Sequence, residues 1–412
     1  MARENIYAAI DVGTTKVCTI VAQVDSLGEV QVLGVGKAPS SGLSKGVVVN
    51  IDDTLESVRE SVDKAERISG VPVKSAFVGI AGKHITSLNN RGVVAIARED
   101  RLVHPRDVKR ALESAYSVDH SISTEVLHVI PRGYVLDGQK GIKDPVGMHG
   151  FRLDVECHIV LGASTAVQNL VKAVQGLGVS IRGLAVEPLA SAEAVLTDDE
   201  RDMGVILADI GGGTTGVAVY NEGTIWHTAC LPVGGGHFTN DIAVGLRVNS
   251  AVADEMKVRY GRADVAGVDS QEQIDVHDSQ SGRRNVSRKE LCEILKERAI
   301  ELFRLVDMDV RKACPNFTPA AGLVLTGGTA NLPGLDTIAR EALRLPVRVG
   351  KPMGVSGLAE TIDNPAYSAS LGLLLWGINQ NESDSWLARP LLQMPTQLPQ
   401  KVGSIVKGLF SW

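Results

Sequence analysis

Ile6-Tyr7-Ala8-Ala9-Ile10-Asp11-Val12-Gly13-Thr14-Thr15-Lys16 is an apolar run that ends in a carboxylate and turns through glycine and threonine. Val17 to Val24 follows as a second apolar run, so the segment reads as strand, turn, strand. The same phrase returns far downstream. Gly204 to Ile210 is the strand, Asp209-Ile210-Gly211-Gly212-Gly213-Thr214-Thr215 the turn, and Val217 to Tyr220 the returning strand. Such a turn exposes backbone N–H groups and hydroxyls that can surround a phosphate, and its Asp stands where it can hold a magnesium ion or that ion's waters. Glycine is required because a Cβ would block the approach of backbone to phosphate. Lys16 adds a point charge for the same anion. One such turn is no more than a tight hairpin, but two in matched contexts imply two equivalent halves that share one ligand.

Working outward, Asp52 to Ser69 reads as a helix with Leu55, Val58, Val62, Ala65 and Ile68 on one face and Gly70 as its stop. A short strand is expected at Val73 to Ile80. From His84 to Ala163 the texture changes to short strands (Gly92 to Ala97, Val126 to Ile130, Arg152 to Leu161) around one helix, Pro105 to Tyr116, which reads as an inserted α+β subdomain. Ala166 to Leu177 is again helical, Gly183 to Val186 a strand, and Pro188 a helix start. Residues 262–286 are polar and read as an exposed loop, and Arg288 to Lys312 as a long amphipathic helix. Ala320 to Thr326 is a strand running into Gly327-Gly328, where a flat adenosine could lie against backbone.

Composition narrows the function classes. The chain has 412 residues, 44% hydrophobic and 22% charged, enough for one large α/β unit or two to three domains. A net charge of −6 argues against broad nucleic-acid binding. The five cysteines are widely spaced without a C-x-x-C pair, so neither a disulfide framework nor a zinc site is expected. The longest apolar run, Leu371 to Ile378, is far short of the ~20 residues of a membrane span. Asp11 interrupts any signal-peptide core, and the expectation is a soluble cytoplasmic chain. Gly82-Lys83 is not a P-loop, because His84 replaces the Ser or Thr that motif requires.

Two phosphate hairpins and a late glycine pair, in this order, resemble the actin/Hsp70/sugar-kinase ATPase superfamily. Within it the chain resembles the FtsA family of bacterial division proteins over essentially its full length. The distinguishing stretches are Gly82-Lys83-His84-Ile85, His128 to Pro131 with Tyr134 and Asp137, Gly141 to Gly147 with Gly150, and Leu325 to Gly328 with Leu332 to Leu335. The resemblance implies an α/β, actin-like two-lobed fold with duplicated ribonuclease-H-like cores. Residues 1–83 and 164–202 would form the first lobe and 203–379 the second. Residues 84–163 would form the family's 1C-like subdomain, followed by a flexible linker at 380–400 and an amphipathic helix at 401–412.

The resemblance also implies a function: an ATP-binding, self-associating adaptor that tethers FtsZ to the inner membrane and recruits later division proteins. Carried over position by position, Asp11 and Asp209 would hold Mg2+. Gly13, Thr14, Thr15 and Lys16, with Gly211, Gly212, Gly213, Thr214 and Thr215, would contact phosphates. Gly235, Gly236 and Lys257 would border the nucleoside, and Gly327 and Gly328 the adenosine. Glu187 resembles the carboxylate that orients the attacking water in Hsp70-like members; a plain acid at a helix N-terminus is its alternative reading. The FtsZ tail would dock within 210–330. One departure matters: the family's second motif continues with Asp where this chain has Gly216, so ATP binding with slow turnover is expected. Two rival readings are a kinase or phosphatase of the same superfamily and a PilM-like pilus scaffold. The first lacks a further catalytic base, and the second leaves the last segment unexplained.

That last segment reads on its own. Lys401 to Trp412 places Val402, Ile405, Val406, Leu409, Phe410 and Trp412 on one helical face, and Lys401 and Lys407 on the other. Only 4% of the chain is aromatic, yet two aromatics stand here, as in an interfacial helix on anionic lipid; a tail helix docking on its own domain is the alternative reading. Gly403 and Gly408 cost about 1 kcal/mol each in a helix interior, so one tail binds weakly and many tails on a polymer bind by avidity.

Overall fold

A computed structural model describes residues 5–116, 123–278 and 282–382. In the first lobe, Asn5–Val12 pairs antiparallel with Lys16–Val24, and Lys16–Val24 with Val30–Pro39. On the other flank Ser75–Ile80 lies parallel to the first strand, and Ser180–Val186 parallel to Ser75–Ile80. The second lobe repeats this order: Thr224–Leu231, Thr215–Asn221 and Val205–Ile210 are antiparallel neighbours, then Gly322–Thr326 and Val347–Val349 follow in parallel. The repeat seen in the two hairpins is therefore a repeat of whole five-stranded cores. Every residue of Val205–Ile210 and Gly322–Thr326 is buried, as strands covered on both faces require.

Helices cover these sheets. Ile51–Ser69 begins at Asn50, whose side chain accepts from the N–H groups of Asp52 and Asp53, and ends at Gly70 in the left-handed region (φ 70°). Its buried face is Thr54, Ser57, Val58, Ser61, Val62 and Ala65, while Ile68 is exposed. The expected aliphatic stripe is thus rotated toward small polar residues. The cause is close packing on Gly36: a Cβ there would lie 1.9 Å from Ser61 O, and Ser61 Oγ donates to Gly36 O at 3.1 Å.

The insertion is a four-stranded antiparallel sheet in the order Thr86–Ala95, Arg152–Ala163, Thr124–Leu136, Gln139–Ile142, with the helix Pro105–Tyr116 laid across it. Its strands run longer than expected. It has its own core, including Ile96, Leu112, Leu153 and Val155.

Two expectations are corrected. Residues 262–286 are not simply loop, because Gln273–Asp278 and Gly282–Ser287 form a hairpin that buries Ile274, Val276 and Val286. Alternation of apolar with polar residues let the segment pass as polar. The helix Ser368–Glu382 follows the second lobe in sequence, where 203–379 is expected to belong, yet it buries Leu371, Leu373, Leu374 and Ile378 against the strands of the first lobe. Trp376 there meets Phe77 and His128 edge-on. The amphipathic segment 401–412 and all but the first three residues of the linker 380–400 lie outside the described residues.

Candidate functional site

The two hairpin turns meet face to face between the lobes. A Cβ on Gly212 would lie 2.2 Å from Thr15 Cγ2, and one on Gly213 would lie 2.6 Å from Thr14 Oγ1, so only glycine permits this approach. They wall a cavity of about 560 Å³ lined also by Glu187, Gly235, Gly236, Asp254, Lys257, Gly327, Gly328 and the turn at 365–366. That volume suits a nucleotide-sized ligand.

Asp11 and Asp209 end the equivalent strands of the two lobes, and both are buried. Loss of hydration raises Asp209 to about 6, with a further upward push from Asp11; Lys16 and the hydrogen bond from Ser191 oppose it. Burial likewise raises Asp11 against the pull of Lys16 and Ser370, and it raises Glu187 well above its usual range, helped by Asp11 and Asp209. Glu187 Oε1 is buried and has no hydrogen-bond partner. Two buried carboxylates and the half-buried Glu187 facing one lysine leave an excess of negative charge, the arrangement that a divalent cation would relieve. Among the described residues no three His, Cys, Asp or Glu side chains converge to cage a metal unaided. The fit is therefore to an ion that two aspartates hold together with other ligands.

Lys16 Nζ donates to Ala366 O and lies 4.3 Å from the centre of the Tyr367 ring, so the first lobe's cation rests on the second lobe's turn. Lys257 Nζ donates to Thr239 Oγ1 at 2.6 Å and to Asp254 Oδ1 at 2.6 Å. Gly235 and Gly236 open the helix Gly235–Gly245, and their N–H groups donate to Gly211 O and Gly212 O at 2.8 and 2.7 Å. This seats the helix on the second hairpin. Gly327 (φ 84°) must be glycine for two reasons, its positive φ and Asp209, whose Oδ1 would lie 2.3 Å from a Cβ. Gly328 has no such crowding; its nearest neighbour would be Ala366 Cβ at 3.9 Å.

Of the residues expected to contact nucleotide, the cavity brings together all but Thr215. Thr215 is fully buried, and its hydroxyl donates to Val233 O at 2.7 Å, tying the returning strand to the segment before Gly234. It does not line the cavity where a phosphate contact was expected of it. Thr329, next to the glycine pair, also lines the cavity, as do Lys37, Asp254 and Asn331, which carry no glycine-rich signal. Gly216 lies opposite Asp209 in the ladder, and a Cβ there would meet the Pro188 ring carbons at 3.0–3.2 Å. Pro188 therefore crowds the position where the related motif carries a carboxylate.

With this geometry in view, two family models match the chain: "Cell division protein FtsA" over residues 206–372 and "SHS2 domain inserted in FTSA" over residues 82–161. The chain is 43% identical to the cell division protein FtsA of Pseudomonas aeruginosa over 92% of its own length and 90% of that protein. It is 35% identical to the Escherichia coli K12 protein of the same description over 99% of this chain and 97% of that one. Among solved structures it resembles a PilM–PilN type IV pilus biogenesis complex (TM-score 0.66, 15% identity, 90% of this chain and 98% of that one). It also resembles MreB5 of Spiroplasma citri bound to ADP (TM-score 0.54, 15% identity, 92% and 98%). At these identities the structural likenesses establish the actin-like fold.

Proposed function

Since this chain belongs to the FtsA family of cell division proteins, we propose that it is an ATP-binding, self-associating adaptor that holds FtsZ at the cytoplasmic face of the inner membrane. The observation that carries the ATP reading is the meeting of two Asp-tipped hairpins around one lysine in a nucleotide-sized cavity. Asp11 and Asp209 would hold Mg2+, which when bound neutralises phosphate charge. Lys16 would exchange Ala366 O for a phosphate oxygen. The open backbone at Gly328 would lie along the adenosine, and Lys257 with Asp254 would border the ribose. Glu187, with an unpartnered oxygen, would orient a water. Gly216 adds no carboxylate, so turnover is slow, and multiple-turnover phosphate release on the order of 1–10³ s⁻¹ would overturn that.

Among the described residues no helix is long and apolar enough to cross a membrane. The membrane contact is assigned to residues 401–412 on their sequence pattern, and the FtsZ contact to the second lobe within 210–330. Cosedimentation with FtsZ, with and without anionic liposomes, tests the reading. FtsZ should pellet with liposomes only when this protein is present, and removal of 401–412 should abolish that. Unchanged pelleting of the truncated chain would remove the tail from the account. The kinase and PilM-like readings predict no FtsZ in the pellet.

A further inference from the structure

Each hairpin aspartate is gripped by a serine on one of two helices that cross beneath the hairpins. Glu187–Val195 follows the last strand of the first lobe, and its Ser191 hydroxyl donates to Asp209 Oδ2 in the second. Ser368–Glu382 follows the second lobe, and its Ser370 hydroxyl donates to Asp11 Oδ2 in the first at 2.7 Å. Both serines are fully buried. A hydroxyl has one proton to give, and a helical serine ordinarily gives it to the carbonyl of the preceding turn. Here both protons go to carboxylates.

The two helices also touch at their crossing. A Cβ on Gly372 would lie 1.8 Å from Ala190 O, and each serine stands within two residues of that contact. A change in how the helices cross therefore moves both serines relative to the carboxylates they hold. Among the described residues no hydrogen bond is made to Oδ1 of either aspartate, so each serine fixes one oxygen and leaves the other for a further ligand.

We propose that Ser191 and Ser370 are positioning residues of the metal–nucleotide site, each orienting one hairpin aspartate so that metal loading is tied to the crossing of the two helices. The inference rests on the functional reading above. It accounts for two buried hydroxyls that line no part of the cavity.

The test compares Ser191→Ala and Ser370→Ala with Ser368→Ala in the full chain. Ser368 is equally buried and shares a 2.6 Å bond with Thr326 Oγ1, but it touches no carboxylate. ATP affinity is measured by calorimetry in Mg2+ and in excess EDTA, with the thermal midpoint recorded alongside. Each of the first two variants should lose about tenfold of the Mg2+-dependent gain in affinity, the scale of one hydrogen bond to a charged group, with EDTA affinity held within about twofold. Ser368→Ala should lower the midpoint without changing the Mg2+ ratio. Ser191→Cys and Ser370→Cys keep the side-chain volume and carry the same comparison if an alanine variant does not fold. An unchanged ratio in the Ser191 and Ser370 variants, or an equal fall in Ser368→Ala, would overturn the proposal. Wild-type protein that binds ATP without regard to Mg2+, or not at all, would overturn the functional reading and this inference with it.

Discussion

The cleft and the seam between the inserted subdomain and the lobes both bury titratable side chains, and they treat them in opposite ways. At the seam His158 Nδ1 meets Asn89 Oδ1 at 2.8 Å and its Nε2 meets Thr228 Oγ1 at 3.0 Å, while His128 Nε2 accepts from the Val186 N–H at 3.1 Å. Burial keeps both rings neutral, lowering His128 to about 4 and His158 to about 3. In the cleft, burial raises three carboxylates, and each of them keeps an oxygen with no hydrogen-bond partner among the described residues. A neutral ring with both nitrogens bonded, as His158 has, finishes a structure. Acids crowded together beside a single lysine mark a place built for something else to complete.

The largest effect should come from the lysine. Lys16→Ala removes the one cation that faces all three acids, and ATP affinity should fall on the order of a hundredfold; calorimetric titration showing a loss under about threefold would break the contrast.

Next is Asp209→Asn. The folded value of Asp209, about 6, lies above the ordinary one, so the native state takes up the proton first. Its contribution to metal-free stability is complete below pH 3.8 and is lost as pH rises through 6. At pH 7.5 Asp209→Asn should therefore stabilise metal-free protein by about 2–3 kcal/mol while erasing the Mg2+-dependent rise in thermal midpoint. A destabilised variant that still responds to Mg2+ would contradict this.

The seam has the reverse sign. Its histidines carry folded values below 6.5, so the unfolded chain is protonated first, and stability is full above pH 6.5 and lost as pH falls toward 4. His158→Gln should cost about 1–3 kcal/mol at pH 7.5, the cost of a broken buried bond, yet flatten the acid-side loss in a pH series of denaturant unfolding. An acid limb as steep as that of wild type would place the effect elsewhere.

How much of this could be read in the sequence depends on range and on texture. The hairpins were legible because Asp, Gly and Thr stand together at the ends of apolar strands, and because the pattern occurs twice. Ser191 and Ser370 were not, since a serine among alanines and leucines carries no local signal and the Ser370–Asp11 bond joins positions 359 apart. The return of Ser368–Glu382 to the first lobe was hidden for a related reason: its sequence is apolar on most sides and names no partner face. On Ile51–Ser69 the buried Ser61 is explained by Gly36 beneath it and Ser57 by its bond to Ser41. A wheel drawn on hydrophobicity alone finds Val58, Val62 and Ala65 but includes the exposed Ile68 and leaves out the buried serines.

The most direct test of the central claim is one calorimetric titration of ATP into the full-length chain, run with Mg2+ and again in EDTA, for wild type and Asp209→Asn. Binding that is strongly Mg2+-dependent in wild type and Mg2+-independent in the variant is the predicted result. Equal binding under all four conditions, or none in wild type, would contradict it.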